Sequence, residues 1–394
     1  MIPGDQSVSG PGEETPEPLK PSGVQVPGPQ QPPSRPPPPY PGLLAWPEQA
    51  LQERFVELGG RAFHARVARE QLLGKGILDY AQMTSLPARL REALPSEIPL
   101  LAGTSQRKVE SRDGTTKLLL DFPAQGTTRG GGVETVHIPP LGSKRGLGAT
   151  LCVSTQIGCP VACPFCASGL DGLARNLEAH EILEQFAQGR AIGELRRAVV
   201  MGIGEPLLNF ENLTSALEHV HNLMGLGARK ITVSTVGFPE RLKRAARSQP
   251  RFQLAISLHT PDDDQHDELI PALRGTSIDE ILAAGDDWFE VTGREITYEY
   301  VLLGGENDTM GHAERLIRRL AGRRATVNLI PYNTTRGLGY QRPAPEDVEI
   351  FATLLTEAGI VAPVRYSRGA DGAAACGQLR MIRSGAPCRT IPAT

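Results

Sequence analysis

From Gly148 onward, short apolar β-type runs alternate with stretches of helical period, and this alternation constrains the fold more than any other feature of the 394-residue chain. Strands are expected over 150–155, 198–203, 230–234, 253–258, 295–302 and 326–330. Helices are expected near 177–188, 211–224, 238–247, 278–290, 311–320 and 345–358. One of these shows its period openly, with Ala313, Leu316, Ile317 and Leu320 on a single stripe. Strands that alternate with helices pair in parallel through right-handed crossovers. Six such units predict an α/β fold, an incomplete barrel or open sheet, with function at the carboxyl ends of the strands.

The flanking segments read differently. Residues 1–42 hold 14 of the 34 prolines, too little apolar surface to offset the entropy of ordering, so 1–46 is expected to be a disordered tail. A small helical accessory domain is expected over 47–110, with Phe63, Val67 and Leu72-Leu73 near helical spacing. Residues 111–147 read as a β-hairpin extension turning around Gly126 to Gly132. The α/β core is expected over 148–380, and 381–394 as a C-terminal tail.

Composition narrows the function classes. Hydrophobic residues make up 40% and charged residues 22%, which excludes disorder of the whole chain. No apolar run approaches the roughly 20 residues a membrane-spanning helix needs. The first 20 residues lack a basic then apolar leader, so a cytoplasmic protein is expected. A net charge of −3 gives no general support to nucleic-acid binding, although 51–120 carries 11 basic residues against 8 acidic ones. Four of the six cysteines lie within Cys152 to Cys166, which points to metal or redox chemistry rather than to a disulfide scaffold.

The run Cys159-Pro-Val-Ala-Cys163-Pro-Phe-Cys166 follows the first expected strand directly. Thiolates on a short loop suit zinc or an iron–sulfur cluster. A structural zinc would need a fourth ligand, and no second Cys-x-x-Cys or His pair follows at finger spacing. Three thiolates suit a four-iron cluster with one iron open; uninvolved cysteines are the plain alternative. The second strand ends in Gly202-Ile203-Gly204-Glu205-Pro206, too few glycines for a dinucleotide fingerprint. It is either a tight turn or a place where backbone approaches a ligand and Glu205 receives an ammonium group. Period two sets Ser257 and His259 on one face at the end of the fourth strand, where a lone histidine is more often a structural hydrogen-bonder than a catalyst. The basic run Arg241, Lys243, Arg244, Arg247 and Arg251 reads as a solvated helix face, with phosphate binding as its alternative.

The Cys-x₃-Cys-x₂-Cys loop followed by Gly-Glu-Pro resembles the radical S-adenosylmethionine superfamily. Longer strings narrow the resemblance: Leu151 to Cys159, Arg175 to Leu177, Met201 to Asn209, Ala255 to His259, Asn328 to Asn333 and Ala374 to Leu379. Together they resemble the RlmN/Cfr family of RNA adenine methyltransferases, from about Arg61 to Leu379. The resemblance implies a partial (βα)6 barrel and a [4Fe–4S] cluster on Cys159, Cys163 and Cys166. It implies S-adenosylmethionine contacts at Gly204, Glu205, Ser234, Ser257, Leu258, His259 and Asn333. Cys376 matches the cysteine that is S-methylated, Cys152 its resolving partner, and Glu134 the proton acceptor; Cys388 matches nothing.

The implied chemistry has a physical reason. Carbon 2 of adenine has no lone pair to attack a methyl sulfonium, so a radical route is needed. Cys376 would take a methyl from one S-adenosylmethionine by displacement. A second, cleaved reductively, would supply the radical that activates this methyl for addition to the base. Cys152 would then attack the Cys376 sulfur, forming a disulfide and releasing methylated RNA. The expected target is adenine carbon 2 in large-subunit (23S) ribosomal RNA, with transfer RNA as a further candidate. Carbon-8 methylation, or a non-catalytic RNA-binding protein with a structural metal centre, are the alternatives. The partners implied are RNA and a flavodoxin-type electron donor, with the enzyme a monomer. One departure stands out: the family's usual Asp-Ile-Asp before Ala-Ala-Cys is Asp371-Gly372-Ala373 here.

Overall fold

The computed structural model describes residues 40–124, 129–140, 142 and 148–380. The chain begins there with helices α1 (Glu48–Glu57), α2 (Phe63–Arg69) and α3 (Ala88–Glu97). An antiparallel meander follows, β1 (Thr104–Glu110), β2 (Thr116–Phe122) and β3 (Gly131–Ile138), then β4 (Ala149–Cys152). A short ribbon, β5 (Gln156–Gly158) with β6 (Leu173–Asn176), brackets the cysteine loop. The repeating units are then α4 (Ala179–Ile192), β7 (Leu195–Val200), α5 (Phe210–Met224), β8 (Ile231–Thr235), α6 (Pro239–Arg247) and β9 (Gln253–Ser257). They continue with α7 (Asp263–Leu269), α8 (Ile278–Thr292), β10 (Ile296–Leu302), α9 (Met310–Leu320), β11 (Ala325–Pro331) and α10 (Pro345–Glu357).

Nine strands form one sheet in the order β1-β2-β3-β4-β7-β8-β9-β10-β11. From β4 to β11 every pairing is parallel, the six-unit arrangement the alternation predicts. Among the described residues the parallel run does not close: β4 pairs with the meander, and the outer edge of β11 meets the extended segment at Val361 and Val364. This is a partial α/β barrel. Its strands alternate: Ile231, Val233, Leu254, Ile256, Tyr298, Tyr300, Val327 and Leu329 are buried on one face, while Ser234, Ser257 and Glu299, at the intervening positions, line a cavity. The carboxyl ends of the six strands remain open, and the turns that follow them carry the site.

Three expectations about the flanks change. Residues 40–46 do not continue a tail: Leu43, Leu44 and Trp46 are buried, Tyr40 and Trp46 rings lie 4.7 Å apart, and Leu43 N–H bonds to the Pro99 carbonyl. Apolar side chains in a proline-rich context still bury when a surface is offered. Residues 104–110, assigned with the helices, are strand β1, almost wholly exposed along its length; polar Thr-Ser-Gln-Arg-Lys gives no alternation to read. The helices also merge with the barrel core: Leu51, Phe55, Leu72 and Leu73 belong to the same apolar cluster as Leu217 and Val220 of α5. The Arg190 side chain of α4 bonds the Gly74 carbonyl. The hairpin stands as β2 and β3, with residues 125–128 of its turn, the tail before residue 40 and the segment 381–394 outside the described residues. Among the described residues no helix is long and apolar enough to cross a membrane.

Candidate functional site: a three-cysteine loop facing Cys376

One cavity at the carboxyl ends of the parallel strands is lined by Cys159, Cys163, Cys166, Gly204, Glu205, Ser234, Ser257, His259, Glu299, Asn333 and Cys376, among others. Residues from five strand ends and the far end of the chain thus meet in one place.

The cysteine loop is aimed by local geometry. Gly158 sits at φ +80, and a Cβ there would fall 1.9 Å from the Gly172 carbonyl oxygen, so only glycine lets the β5–β6 ribbon close. Closure brings the Cys159 N–H to that same oxygen, and the Cys166 N–H bonds the Cys163 carbonyl. Burial pushes the Cys159 thiol up to about 12, Cys163 well above the ordinary thiol range and Cys166 upward, with neighbouring thiolates adding to the first two. Three half-buried thiols that repel one another as anions are a donor set suited to a cationic iron centre, which would draw off their protons. Among the described residues no three such side chains converge on a single ion; thiolates at separate corners of a cluster need no common point. The residues fit a [4Fe–4S] group.

Glu205 is 2% exposed and firmly held. Its Oε1 accepts from the Thr235 hydroxyl at 2.6 Å and the Leu207 N–H at 2.9 Å, and its Oε2 accepts from the Val236 N–H at 3.0 Å. Burial raises its pKa, and those donors pull it back. A carboxylate offers about four lone-pair directions, so one remains for a ligand ammonium. The side chain is therefore first a clamp between the turn after β7 and the end of β8. Thr235 and Gln156, whose Oε1 accepts the Glu205 N–H at 2.7 Å, complete the clamp; sequence reasoning did not single them out.

Ser234 and Ser257 hydroxyls lie 3.3 Å apart on adjacent strands. His259 adopts φ +61, a left-handed backbone uncommon outside glycine, and is pinned by two bonds: Val301 N–H to its Nδ1 at 3.1 Å and the Asn307 amide to its carbonyl at 2.7 Å. An Nδ1 that accepts leaves the proton on Nε2, and burial holds the ring neutral by pushing its pKa down to about 3. His259 is a fixed donor in the cavity, not a base. The Phe165 ring meets it edge-on at 5.1 Å. Leu258 is fully buried and does not line the cavity.

Cys376 arrives on the segment after α10. The Ala167 N–H bonds the Gly377 carbonyl at 2.8 Å and the Ser168 hydroxyl the Leu379 carbonyl at 2.8 Å, which lashes this segment to the cysteine loop. Asn333 donates to the Ser367 hydroxyl oxygen at 2.9 Å and to the Cys376 carbonyl at 3.3 Å. Cys376 meets solvent in the cavity, yet the protein around it pushes its thiol up, and the Ser367 hydroxyl bonded to it pulls back. Ser367 was not foreseen; a serine amid arginines carries no signal. Cys152 is buried on β4, outside the cavity lining, its thiol raised by burial and further by charge on Cys376.

Glu134 also lies off the cavity lining. Its Oε1 pairs with Lys117 at 2.8 Å and its Oε2 accepts the Arg380 N–H at 3.0 Å, while Lys117 also holds the Ala373 carbonyl at 2.8 Å. The carboxylate braces the segment that carries Cys376. The departure at Asp371-Gly372-Ala373 has a local correlate: a Cβ on Gly372 would lie 2.4 Å from the Ser111 hydroxyl oxygen, so the large apolar residue of the resembled pattern would have to displace the Ser111 side chain. Asp371 is retained as a brace, accepting the Arg112 N–H at 3.0 Å. Glu299 is the unforeseen ionisable group of the cavity: 5% exposed, bonded by the Asn328 amide at 3.0 Å, and pushed by burial to about 7.

Comparison with known proteins agrees with this geometry. Residues 153–317 match the model of the radical SAM superfamily. The chain is 39% identical over 350 residues to a probable dual-specificity RNA methyltransferase RlmN of Nostoc punctiforme, covering 87% of this chain and 94% of that one. An RlmN of Rhodopirellula baltica is 39% identical over 86% and 91% of the two chains. A solved radical SAM methyltransferase from Sphaerobacter thermophilus superposes with a TM-score of 0.77 at 39% identity, covering 86% of this chain and 98% of its own. With a cavity that joins a three-cysteine loop to a distant cysteine, and relatives matched over nearly their whole length, the chain belongs to the RlmN family of radical S-adenosylmethionine RNA methyltransferases.

Proposed function

We propose that this enzyme methylates carbon 2 of an adenine in large-subunit (23S) ribosomal RNA, and in transfer RNA, through an S-methylated Cys376 and a transient Cys152–Cys376 disulfide. The observation that carries this reading is the lashing of the Cys376 segment to the cysteine loop through the Ala167–Gly377 and Ser168–Leu379 hydrogen bonds. Such contacts give a cluster on the loop and a carbon on the Cys376 sulfur a shared cavity.

A [4Fe–4S] cluster held by Cys159, Cys163 and Cys166 would supply reductive cleavage of S-adenosylmethionine. The chain's own residues do the rest. Glu205 offers one open lone pair to an ammonium group, Gly204 allows close backbone approach, and Ser234, Ser257 and the fixed His259 Nε2–H supply hydroxyl and N–H groups for the polar parts of S-adenosylmethionine. Asn333 spends its amide N–H groups on Ser367 and the Cys376 backbone, leaving its oxygen for the ligand. Ser367 stabilises the Cys376 thiolate, which displaces a methyl from the sulfonium of one S-adenosylmethionine; a second molecule is consumed in activating that methyl. The Cys152 thiolate then attacks the Cys376 sulfur, the carbon–sulfur bond breaks, and the electron pair left on carbon takes up a proton as the methylated base departs. Addition of the methyl carbon to the base is completed by loss of one proton and one electron, for which Glu134 would be the proton acceptor and the [4Fe–4S] group the electron acceptor. A flavodoxin-type donor supplies electrons to a monomeric enzyme in the cytoplasm.

The test uses two variants expressed with RNA present. Cys152→Ala acquires the methyl and adds to RNA but cannot resolve, so a protein–RNA adduct appears on denaturing gels; Cys376→Ala gives none. An adduct with Cys376→Ala, or none with a cluster-loaded Cys152→Ala, overturns the roles. Mass spectrometry of the modified nucleoside separates carbon 2 from carbon 8.

A further inference from the structure

The rim of the cavity carries two segments without a single acidic residue, 332–344 after β11 and 361–368 along its edge. The parallel bridge between Leu329 and Val364 runs the second segment toward the carboxyl end of β11, and the Asn333–Ser367 hydrogen bond fixes it there. Ser367 turns inward to Cys376, and its neighbour Tyr366 stands 63% exposed with the Arg342 guanidinium 5.8 Å from its ring centroid. Arg336, Arg342 and Arg365 are all exposed, and none is in an ion pair among the described residues, whereas Arg368 is tied to Asp113. Nothing in the packing requires an aromatic ring at that place.

We propose that Tyr366 and Arg342 form a stacking platform for a nucleobase next to the target adenine in single-stranded RNA, with Arg336 and Arg365 meeting the adjoining phosphates. The proposal deepens the RNA methyltransferase reading and rests on it. An adenine carbon can reach Cys376 only if the base leaves its stack, and the neighbouring base then loses a stacking partner. An exposed ring with an arginine plane restores one, without reading sequence, and exposed arginines outside any ion pair among the described residues supply the backbone charge. The arginine-rich, acid-free sequence of the two segments favours this occupant over a protein partner, whose contact would centre on apolar neighbours. The platform lies one residue from the hydroxyl that holds the reactive sulfur, so binding the flanking base also registers the target.

The experiment compares full-length, cluster-loaded wild type, Tyr366→Ala, Tyr366→Phe and Arg342→Ala. Binding of a labelled RNA hairpin with a single-stranded adenine-containing loop is read by anisotropy at several salt concentrations, and Cys376 methylation without RNA by intact-protein mass spectrometry. Tyr366→Ala should weaken binding between about five- and one-hundredfold at every salt concentration, while Tyr366→Phe stays within about twofold. Arg342→Ala should weaken binding most at low salt. All variants should methylate Cys376 as wild type does. Tyr366→Ala within about twofold of a wild type that binds the hairpin overturns the platform alone. So does equal loss in Tyr366→Phe. A wild type that neither binds nor methylates RNA overturns the platform together with the reading beneath it.

Discussion

Replacing Glu205 with glutamine conserves shape but not function of the clamp, and the cost follows from its partners. The carboxylate receives three donors, the Thr235 hydroxyl and the Leu207 and Val236 N–H groups. In Glu205→Gln the amide oxygen placed at Oε1 keeps two of them as neutral bonds, while the amide NH₂ is driven against the Val236 N–H. A buried donor left without an acceptor costs about 1–3 kcal/mol, and the lost charge assistance on the other two bonds adds about 1 kcal/mol. Relief from burying a charge, the same burial that raises the Glu205 pKa, offsets about 1–2 kcal/mol. The net expectation is a loss of roughly 2 kcal/mol. Urea unfolding of the cluster-free chain under reducing conditions reads this without any contribution from ligand. S-adenosylmethionine affinity should fall as well, because the open lone pair becomes a donor facing an ammonium group. A Glu205→Gln chain as stable as wild type refutes the clamp; equal stability with lost affinity would make the residue purely a ligand contact.

Three further outcomes are expected. Alanine at any one of Cys159, Cys163 or Cys166 should abolish iron and sulfide binding and the visible absorbance of the reconstituted protein, since three ligands leave none spare; full iron content in any single variant contradicts the assignment. Gly158→Ala should lose cluster content because the added Cβ meets the Gly172 carbonyl oxygen at 1.9 Å, with thermal unfolding showing whether the barrel itself survives. Glu299 has a folded-state pKa of about 7 against an ordinary 4.5, so the folded protein holds a proton that the unfolded chain releases. Its contribution is most favourable below the unfolded value and is lost as pH rises through 7, by at most roughly 3 kcal/mol. Glu299→Gln should therefore remove a fall in stability between about pH 5 and pH 8, and an unchanged slope in denaturant titrations contradicts this.

The six parallel strands were legible because each is a short β-type run, mostly alternating, whose period breaks before a helical one begins. What stayed hidden had no period. The β5–β6 ribbon is three and four residues long, and its closure depends on Gly158 and Gly172 meeting across the cysteine loop. Strand β1 is polar but for Val109, so it offers no alternation to read. In the site, the cysteines and the Gly-Glu turn declared themselves by spacing. Ser367 and Thr235 did not, since each acts through a partner far away in sequence, Asn333 and Glu205 respectively. Glu299 was detectable in principle: a carboxylate in an otherwise apolar and aromatic strand is out of place unless it faces a ligand.

The two margins of the nine-stranded sheet are not alike. At one, the extended chain at Val361 and Val364 covers β11. At the other, β1 has no further strand beside it among the described residues, and an open margin of that kind recruits strands from other molecules. Arg107, Lys108 and Glu110 line it, with Lys108 and Glu110 paired at 2.6 Å. An incoming strand would have to strip water from those charges, which keeps a crowded solution of this enzyme from knitting itself into fibres.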